Sequence, residues 1–140
     1  MILLDTNVIS ELMRAEPAQA VLDWFAQHDA SDLFISAITE AELRTGVAIL
    51  PEGQRRNRLQ QAIDAMIDQD FQSRVLPFDS AAARAYADIA AQRRAAGRPI
   101  AEADCQIAAV ARATDASIAT RNVKDFDGCG VRVINPWNAE

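Results

Sequence analysis

Four acidic residues, Asp5, Glu42, Asp104 and Asp125, each stand where an apolar run gives way to a loop or to the start of a helix. A carboxylate in apolar surroundings is costly to desolvate unless a cation or a set of donors gathers it. Two carboxylates held about 4 Å apart repel by about 4 kcal/mol at an effective dielectric of roughly 20. Such a pair shares a proton or binds a hard cation. Oxygen donors alone suit Mg²⁺ or Mn²⁺ rather than zinc. One or two such ions activate water and stabilise the leaving oxygen of an in-line displacement, which points to hydrolysis of a phosphodiester.

Each acid also has a structural reading. Asp5 follows Ile2-Leu3-Leu4 directly, and an Asp after a strand is a common turn and helix-capping residue. Its neighbours Thr6 and Asn7 supply further oxygens or hold a water. Glu42 lies three residues after Thr39, which by itself reads as a capping box. Asp104 sits in the first turn of a helix that is small and apolar nearly all round, on one face with Ile107, Ala108 and Ala111. An acid on a buried face calls for a cation or a donor cluster, the alternative being the N-terminal helix dipole. Asn122 and Asp125 follow Ala119-Thr120 in a polar loop that is unremarkable alone. The set carries the signal.

The elements that must position these residues alternate regularly. Apolar runs at Ile2–Leu4, Leu33–Ala37, Arg74–Phe78, Ala116–Thr120 and Val131–Ile134 read as short buried strands. Helices are expected over Thr6–Met13, from Pro17 to about Gln27, over Thr39–Ile49 and from Gln54 to about Asp70. A further alanine-rich helix starts from an Asp79-Ser80 cap and closes at Gly97 and Pro99, and another spans Ala101–Ala113. Strands alternating with helices predict an α/β fold, a central parallel sheet flanked by helices on both faces. Ligands of such sheets bind beyond the carboxyl ends of the strands. Asp5 and Asp125 then share that rim.

With 140 residues, the chain is expected to form one domain over 1–140 with a proper core. No stretch is apolar for the about 18 residues of a membrane helix, and Met1-Ile2-Leu3-Leu4-Asp5 carries no basic leader. A cytoplasmic protein is expected. Cys105 and Cys129, with no CxxC and a single histidine, do not make a zinc site; both read as buried free thiols. The net charge of −6 argues against a module that binds nucleic acid by blanket phosphate neutralisation. It leaves open a nuclease whose negative charge is concentrated at a metal site. His28 as the one histidine, read as a surface residue at a helix end, excludes a two-histidine ribonuclease mechanism. GxSxG, GxGxxG and Walker patterns are absent. Arg55, Arg56 and Arg58, and Arg93, Arg94 and Arg98, read either as solvated helix ends or as contacts to a polyanion.

Leu4-Asp5-Thr6-Asn7-Val8-Ile9-Ser10, Ser36-Ala37-Ile38-Thr39 through Glu42-Leu43 and Gly46, Asp104 with Ile107-Ala108-Ala109, and Thr120-Arg121-Asn122 through Asp125-Phe126 resemble the PIN-domain family. The ending Val133-Ile134-Asn135-Pro136-Trp137 is similar to that of VapC-type toxins near the FitB branch. The motifs run in order along nearly the whole chain. The resemblance implies a PIN-like fold and a Mg²⁺- or Mn²⁺-dependent endoribonuclease, the toxin of a type II toxin–antitoxin pair. It implies Asp5 and Asp104 as principal metal ligands, with Glu42 completing the acidic pocket and orienting the attacking water. On the mechanism it implies, Thr6, Asn122 and Asp125 would position water or substrate, and Arg93, Arg94 or Arg121 would contact RNA phosphate. A homodimer and a VapB/FitA-type antitoxin follow as partners, with operator DNA bound only through the antitoxin. One departure stands out: Asn122 occupies the position after Thr-Arg where many relatives carry an acid, so that Asn122 or Asp125 fills the fourth place. With the acidic surface it supports a rival reading, a catalytically weak PIN-like protein acting through its partner or dimer; a metal-dependent DNase using the same acids is a further alternative.

Overall fold

The computed structural model describes residues 1–138. Five short strands, β1 (Ile2–Leu4), β2 (Leu33–Ser36), β3 (Val75–Leu76), β4 (Ser117–Ala119) and β5 (Val133–Ile134), pair in parallel in the order β3-β2-β1-β4-β5. Helices α1 (Thr6–Leu12), α2 (Gln19–Ala26), α3 (Ala37–Ala48), α4 (Gln54–Ala65), α5 (Ser80–Ala95) and α6 (Glu102–Ala113) cover the sheet. Among the described residues no helix is long and apolar enough to cross a membrane.

Alternation along the central strands divides the core. Leu3 and Ile118 join Ala82, Ala85 and Ile89 of α5 and Cys105, Ile107, Ala108 and Ala111 of α6 in one buried cluster. Leu4, Ala119 and Ile35 join Val8 and Ile9 of α1, Trp24 of α2, Leu43 and Val47 of α3 and Ile63 of α4 in the other. A sheet covered on both faces requires apolar residues on both, which is why β1 reads as an unbroken apolar run and β4 departs from one only at Ser117.

The strand order places the site. From β1 the chain moves outward through β2 to β3, then returns by α5 and α6 to β4 on the other side of β1. The order therefore reverses between β1 and β4, and a crevice opens at the carboxyl ends of strands at such a switch point. Asp5 leaves β1 and Thr120 leaves β4 at that crevice, where the Asp5 amide donates to the Ala119 carbonyl at 2.9 Å.

Several boundaries differ from expectation for local reasons. The third helix begins at Ala37 rather than Thr39, because Ser36 Oγ accepts from the Thr39 amide at 3.1 Å and is the N-cap. Thr39 and Glu42 form no capping box. The helix expected over Gln54–Asp70 changes character at Met66, where Met66–Asp70 is a wider π-helical turn closed by the Phe71 amide donating to Met66 O at 2.9 Å. Phe71 is buried, with the Arg74 guanidinium 5.3 Å over its ring. β3 and β5 are two residues each, shorter than the runs that suggested them; both are edge strands with a partner on one side only. His28 is half-buried rather than on the surface: its ring lies 4.3 Å from Trp24 and Nδ1 is 2.8 Å from the Trp24 carbonyl. Cys105 and Cys129 are buried free thiols, as expected. Burial pushes both up, Cys105 to about 11.

Candidate active site

Asp5 is placed twice over. As the last residue before α1 it caps that helix, Oδ1 accepting from the Thr6 amide at 2.8 Å. Its Oδ2 accepts from the Thr120 hydroxyl at 2.8 Å and from Asn7 Nδ2 at 3.3 Å. The side chain is 5% exposed. Burial raises its pKa; the Thr120 and Thr6 hydrogen bonds oppose this, and the charges of Glu42 and Asp125 add to it.

Thr120, part of the Thr120-Arg121-Asn122 motif but given no role by sequence, is the hub of the site. Fully buried at the end of β4, it donates to Asp5 and accepts from the Asn122 amide at 3.0 Å and from Asn7 Nδ2 at 3.2 Å. The oxygen of Asn7 accepts from the Arg121 amide at 3.3 Å. Asn7 and Thr120 thereby tie the start of α1 to the loop after β4. A Thr at the end of an apolar strand, facing an Asp at the end of its neighbour, is the signal that marks it.

Glu42 comes from α3 and meets Thr6, whose Oγ1 lies 2.7 Å from Oε1. An ionised carboxylate only accepts, so the one hydroxyl hydrogen of Thr6 goes to Glu42. The Thr39 hydroxyl stands 3.2 Å behind it. Asp104, in the first turn of α6, is pushed up to about 6, mainly by burial and then by Asp5, Asp125 and Glu42, with Arg93 opposing. The ion pairs among the described residues, Arg14–Glu11, Arg44–Glu40, Arg44–Asp64 and Arg98–Asp127, include none of the four predicted acids.

Asp5, Glu42, Asp104 and Asn122 line one cleft of about 490 Å³, together with Thr6, Asn7, Glu11, Arg14, Arg121 and Trp137. Asp125 lines the adjoining depression with Asn122, Lys124 and Asn135. It acts on the cleft through its charge, which reaches both Asp5 and Asp104. The donor set is rich in oxygen and poor in nitrogen and sulfur, which fits a hard divalent ion. Among the described residues, however, no three His, Cys, Asp or Glu side chains draw close enough together to hold an ion between them. The carboxylates line a common cleft without closing on one point.

Two charged residues have roles that sequence reasoning missed. Arg93 is buried, not a solvated helix end, and does not face a polyanion. Its Nε donates to Arg98 O at 2.7 Å and its Nη1 to the carbonyls of Asp125 and Asp127, both at 2.9 Å. It staples the end of α5 to the short 3₁₀ turn Val123–Phe126 that carries Asp125. Glu11 is buried beside the cleft, accepting from the Ala18 amide at 2.9 Å and from Arg14 at 3.3 Å. Those contacts, the amide foremost, hold its carboxyl below the usual range. Arg94 is exposed and lines neither cleft described here.

A parallel sheet with this strand order and an acidic cleft at its switch point defines a class, and comparison with known proteins agrees. Residues 2–128 match the PIN domain. The chain is 47% identical to VapC ribonuclease Y4jK of Sinorhizobium fredii, covering 98% of each protein, and 44% identical to toxin FitB of Neisseria gonorrhoeae, covering 99% of each. Among solved structures, FitAB bound to an IR36 DNA fragment matches with a TM-score of 0.94 and 43% identity, over 100% of this chain and 98% of that one. The chain belongs to the PIN-domain family, alongside VapC ribonucleases and toxin FitB.

Proposed function

We propose that this protein is the toxin of a type II toxin–antitoxin pair and acts as a Mg²⁺- or Mn²⁺-dependent endoribonuclease. The observation that carries the reading is the cleft itself: Asp5, Glu42 and Asp104, from three different elements, line one cavity without an ion-paired partner among the described residues. Asp104 is correspondingly pushed up to about 6. Carboxylates left in that state favour a hard cation. Asp5 and Asp104 are the proposed principal ligands and Glu42 completes the set. Because the three acids do not close on one point, water would supply the rest of the ligand set, as Mg²⁺ prefers.

When bound, the ion supplies activation of water and neutralisation of phosphate charge. The residues of the chain do the positioning. Asp5 is held in one orientation by Thr120, Thr6 and Asn7. Glu42, fixed by Thr6, faces the cleft as acceptor for a proton of the attacking water. Asn122 contributes an uncharged polar group, and Asp125 adds negative charge from the next depression. In-line attack by the water oxygen on phosphorus, with the P–O3′ bond breaking and the departing oxygen taking a proton from solvent, would leave a 5′-phosphate and a 3′-hydroxyl. The names VapC ribonuclease and toxin FitB among the relatives support the assignment. The DNA-bound FitAB complex supports a VapB/FitA-type antitoxin as partner, with operator DNA reached through it. A homodimer acting in the cytoplasm and a single domain over 1–140 complete the reading.

The test is cleavage of a defined structured RNA by antitoxin-free protein with Mg²⁺ or Mn²⁺ against EDTA, with Asp104→Ala alongside and the matching DNA as control. Metal-dependent RNA cleavage that the variant lacks is the expected result. A second reading, a binding protein of weak activity, draws on the open spacing of the acids and on Asn122. Folded, metal-binding protein that cleaves no RNA selects it, and cleavage of DNA alone selects a DNase.

A further inference from the structure

We propose that Arg121, braced on the Trp137 ring at the rim of the acidic cleft, seats an RNA phosphate flanking the scissile one; the proposal rests on the ribonuclease reading above. Arg121 and Trp137 line the same cleft as Asp5, Glu42, Asp104 and Asn122, and the guanidinium carbon lies 5.1 Å over the indole. Both partners are fixed from below. The Arg121 amide donates to Asn7 at 3.3 Å, so its backbone is tied to the hydrogen bonds that orient Asp5. Trp137 is half-buried against the core cluster of Leu4 and Val8, with its amide donating to Asn135 Oδ1 at 3.0 Å.

Charge makes such a seat necessary. The cleft walls are acidic, and a polyanionic strand entering them is repelled wherever an ion does not neutralise the wall. Arg14 and Arg121 are the cations of this lining. Arg14 is committed to both oxygens of Glu11, each at 3.3 Å. Arg121 belongs to none of the ion pairs among the described residues and is exposed. A guanidinium fork matches two phosphate oxygens at once, and a ring beneath it restricts its rotamers before the phosphate arrives. Trp137 is therefore a positioning residue that acts through Arg121.

The experiment has two arms. Wild-type protein is assayed for Mn²⁺-dependent RNA cleavage. Binding of a fluorescent single-stranded RNA pool is then followed by anisotropy over a salt series with Mg²⁺, in a cleavage-silenced Asp104→Asn background. Arg121→Ala is expected to weaken binding about ten-fold and to lower the salt slope by about 0.7, the loss of one single-strand phosphate contact. Arg121→Lys keeps the slope while losing part of the affinity. Trp137→Phe stays within about two-fold and Trp137→Leu loses about three-fold, and Trp137→Leu has no added effect once Arg121 is Ala. An unchanged slope and affinity in Arg121→Ala, with wild type still cleaving RNA, overturn the proposal and leave the nuclease reading intact. Multiplying effects of the two substitutions overturn it in favour of a base stacking on Trp137 by itself. A wild type that cleaves no RNA overturns the nuclease reading and this proposal with it.

Discussion

Asp104 shows how a single carboxyl couples function to stability. Its folded pKa of about 6 lies above the usual 3.8, so the folded protein binds this proton more tightly than the unfolded chain. Stability from this group is present below pH 3.8 and is lost as pH rises through 6. Asp104→Asn removes an ionised group from that position and is expected to raise the melting temperature of metal-free protein at pH 7.5 by about 3 °C. The gain should vanish near pH 4, while cleavage falls at least about a hundred-fold. Calorimetry at the two pH values checks the sign; a loss of stability at pH 7.5 means that Asp104 is held by donors rather than strained by burial. Thr120 makes the opposite case. Thr120→Val keeps the shape but removes the hydroxyl on Asp5 Oδ2, with an expected cost of about 1–2 kcal/mol in urea titration. Burial then acts on Asp5 with less opposition, so metal affinity drops as well. Thr120→Ser should recover most of both.

At the scale of elements, the site depends on how loops are pinned to helices. Arg93 holds three carbonyls of the Arg98 and Asp125–Asp127 segments from the last turn of α5. Arg93→Met removes the guanidinium from those carbonyls, leaving Asp127 O only the weak thiol of Cys129, and is expected to cost about 2–4 kcal/mol. Amide exchange should quicken selectively at residues 123–129, and uniform acceleration across α5 and α6 counts against the staple. Ser36 does similar work at the start of α3, the helix that carries Glu42. Ser36→Ala is expected to lose about 1 kcal/mol, read as a lower midpoint in thermal unfolding. Glu42 then becomes less well placed, and RNA cleavage falls without loss of the fold.

For the whole molecule, the reversal of strand order at β1 brings the first strand beside β4. The cleft therefore exists only when β1, α3, α6 and β4 are all docked, and a ligand of the cleft stabilises every one of them. Mg²⁺ or Mn²⁺ is expected to stabilise the fold at pH 7.5 by RT ln(1 + [L]/Kd), and so to raise its melting temperature. The rise should shrink below pH 6, because the proton that Asp104 binds there competes with the ion. Scanning fluorimetry with metal against EDTA at pH 7.5 and 5 gives the comparison, and an equal shift at both pH values removes Asp104 from the ligand set.

Much of this was legible in the chain alone. Short apolar runs and helical spacing are local, and local hydrophobicity determined the alternation of strands and helices, the parallel sheet, and the positions of Asp5 before α1 and Asp104 in the first turn of α6, whereas Glu42 lies in the middle of α3 rather than at its start. Asp5-Thr6-Asn7 and Thr120-Arg121-Asn122 were likewise visible as polar punctuation after apolar strands. Tertiary structure decided what those groups meet. The Thr120 hydroxyl reaches Asp5 across 115 residues, and Thr6 takes Glu42 out of the capping role its spacing suggested. Arg93 turns inward to carbonyls that lie 32 and 34 residues further on, and Asp125 falls into the neighbouring depression rather than the cleft. A side chain's type and nearest neighbours bound its possible chemistry. Its partner, burial and proton affinity are set by groups that only the packing of β1 against β4 and of α5 against α6 brings within a few ångströms.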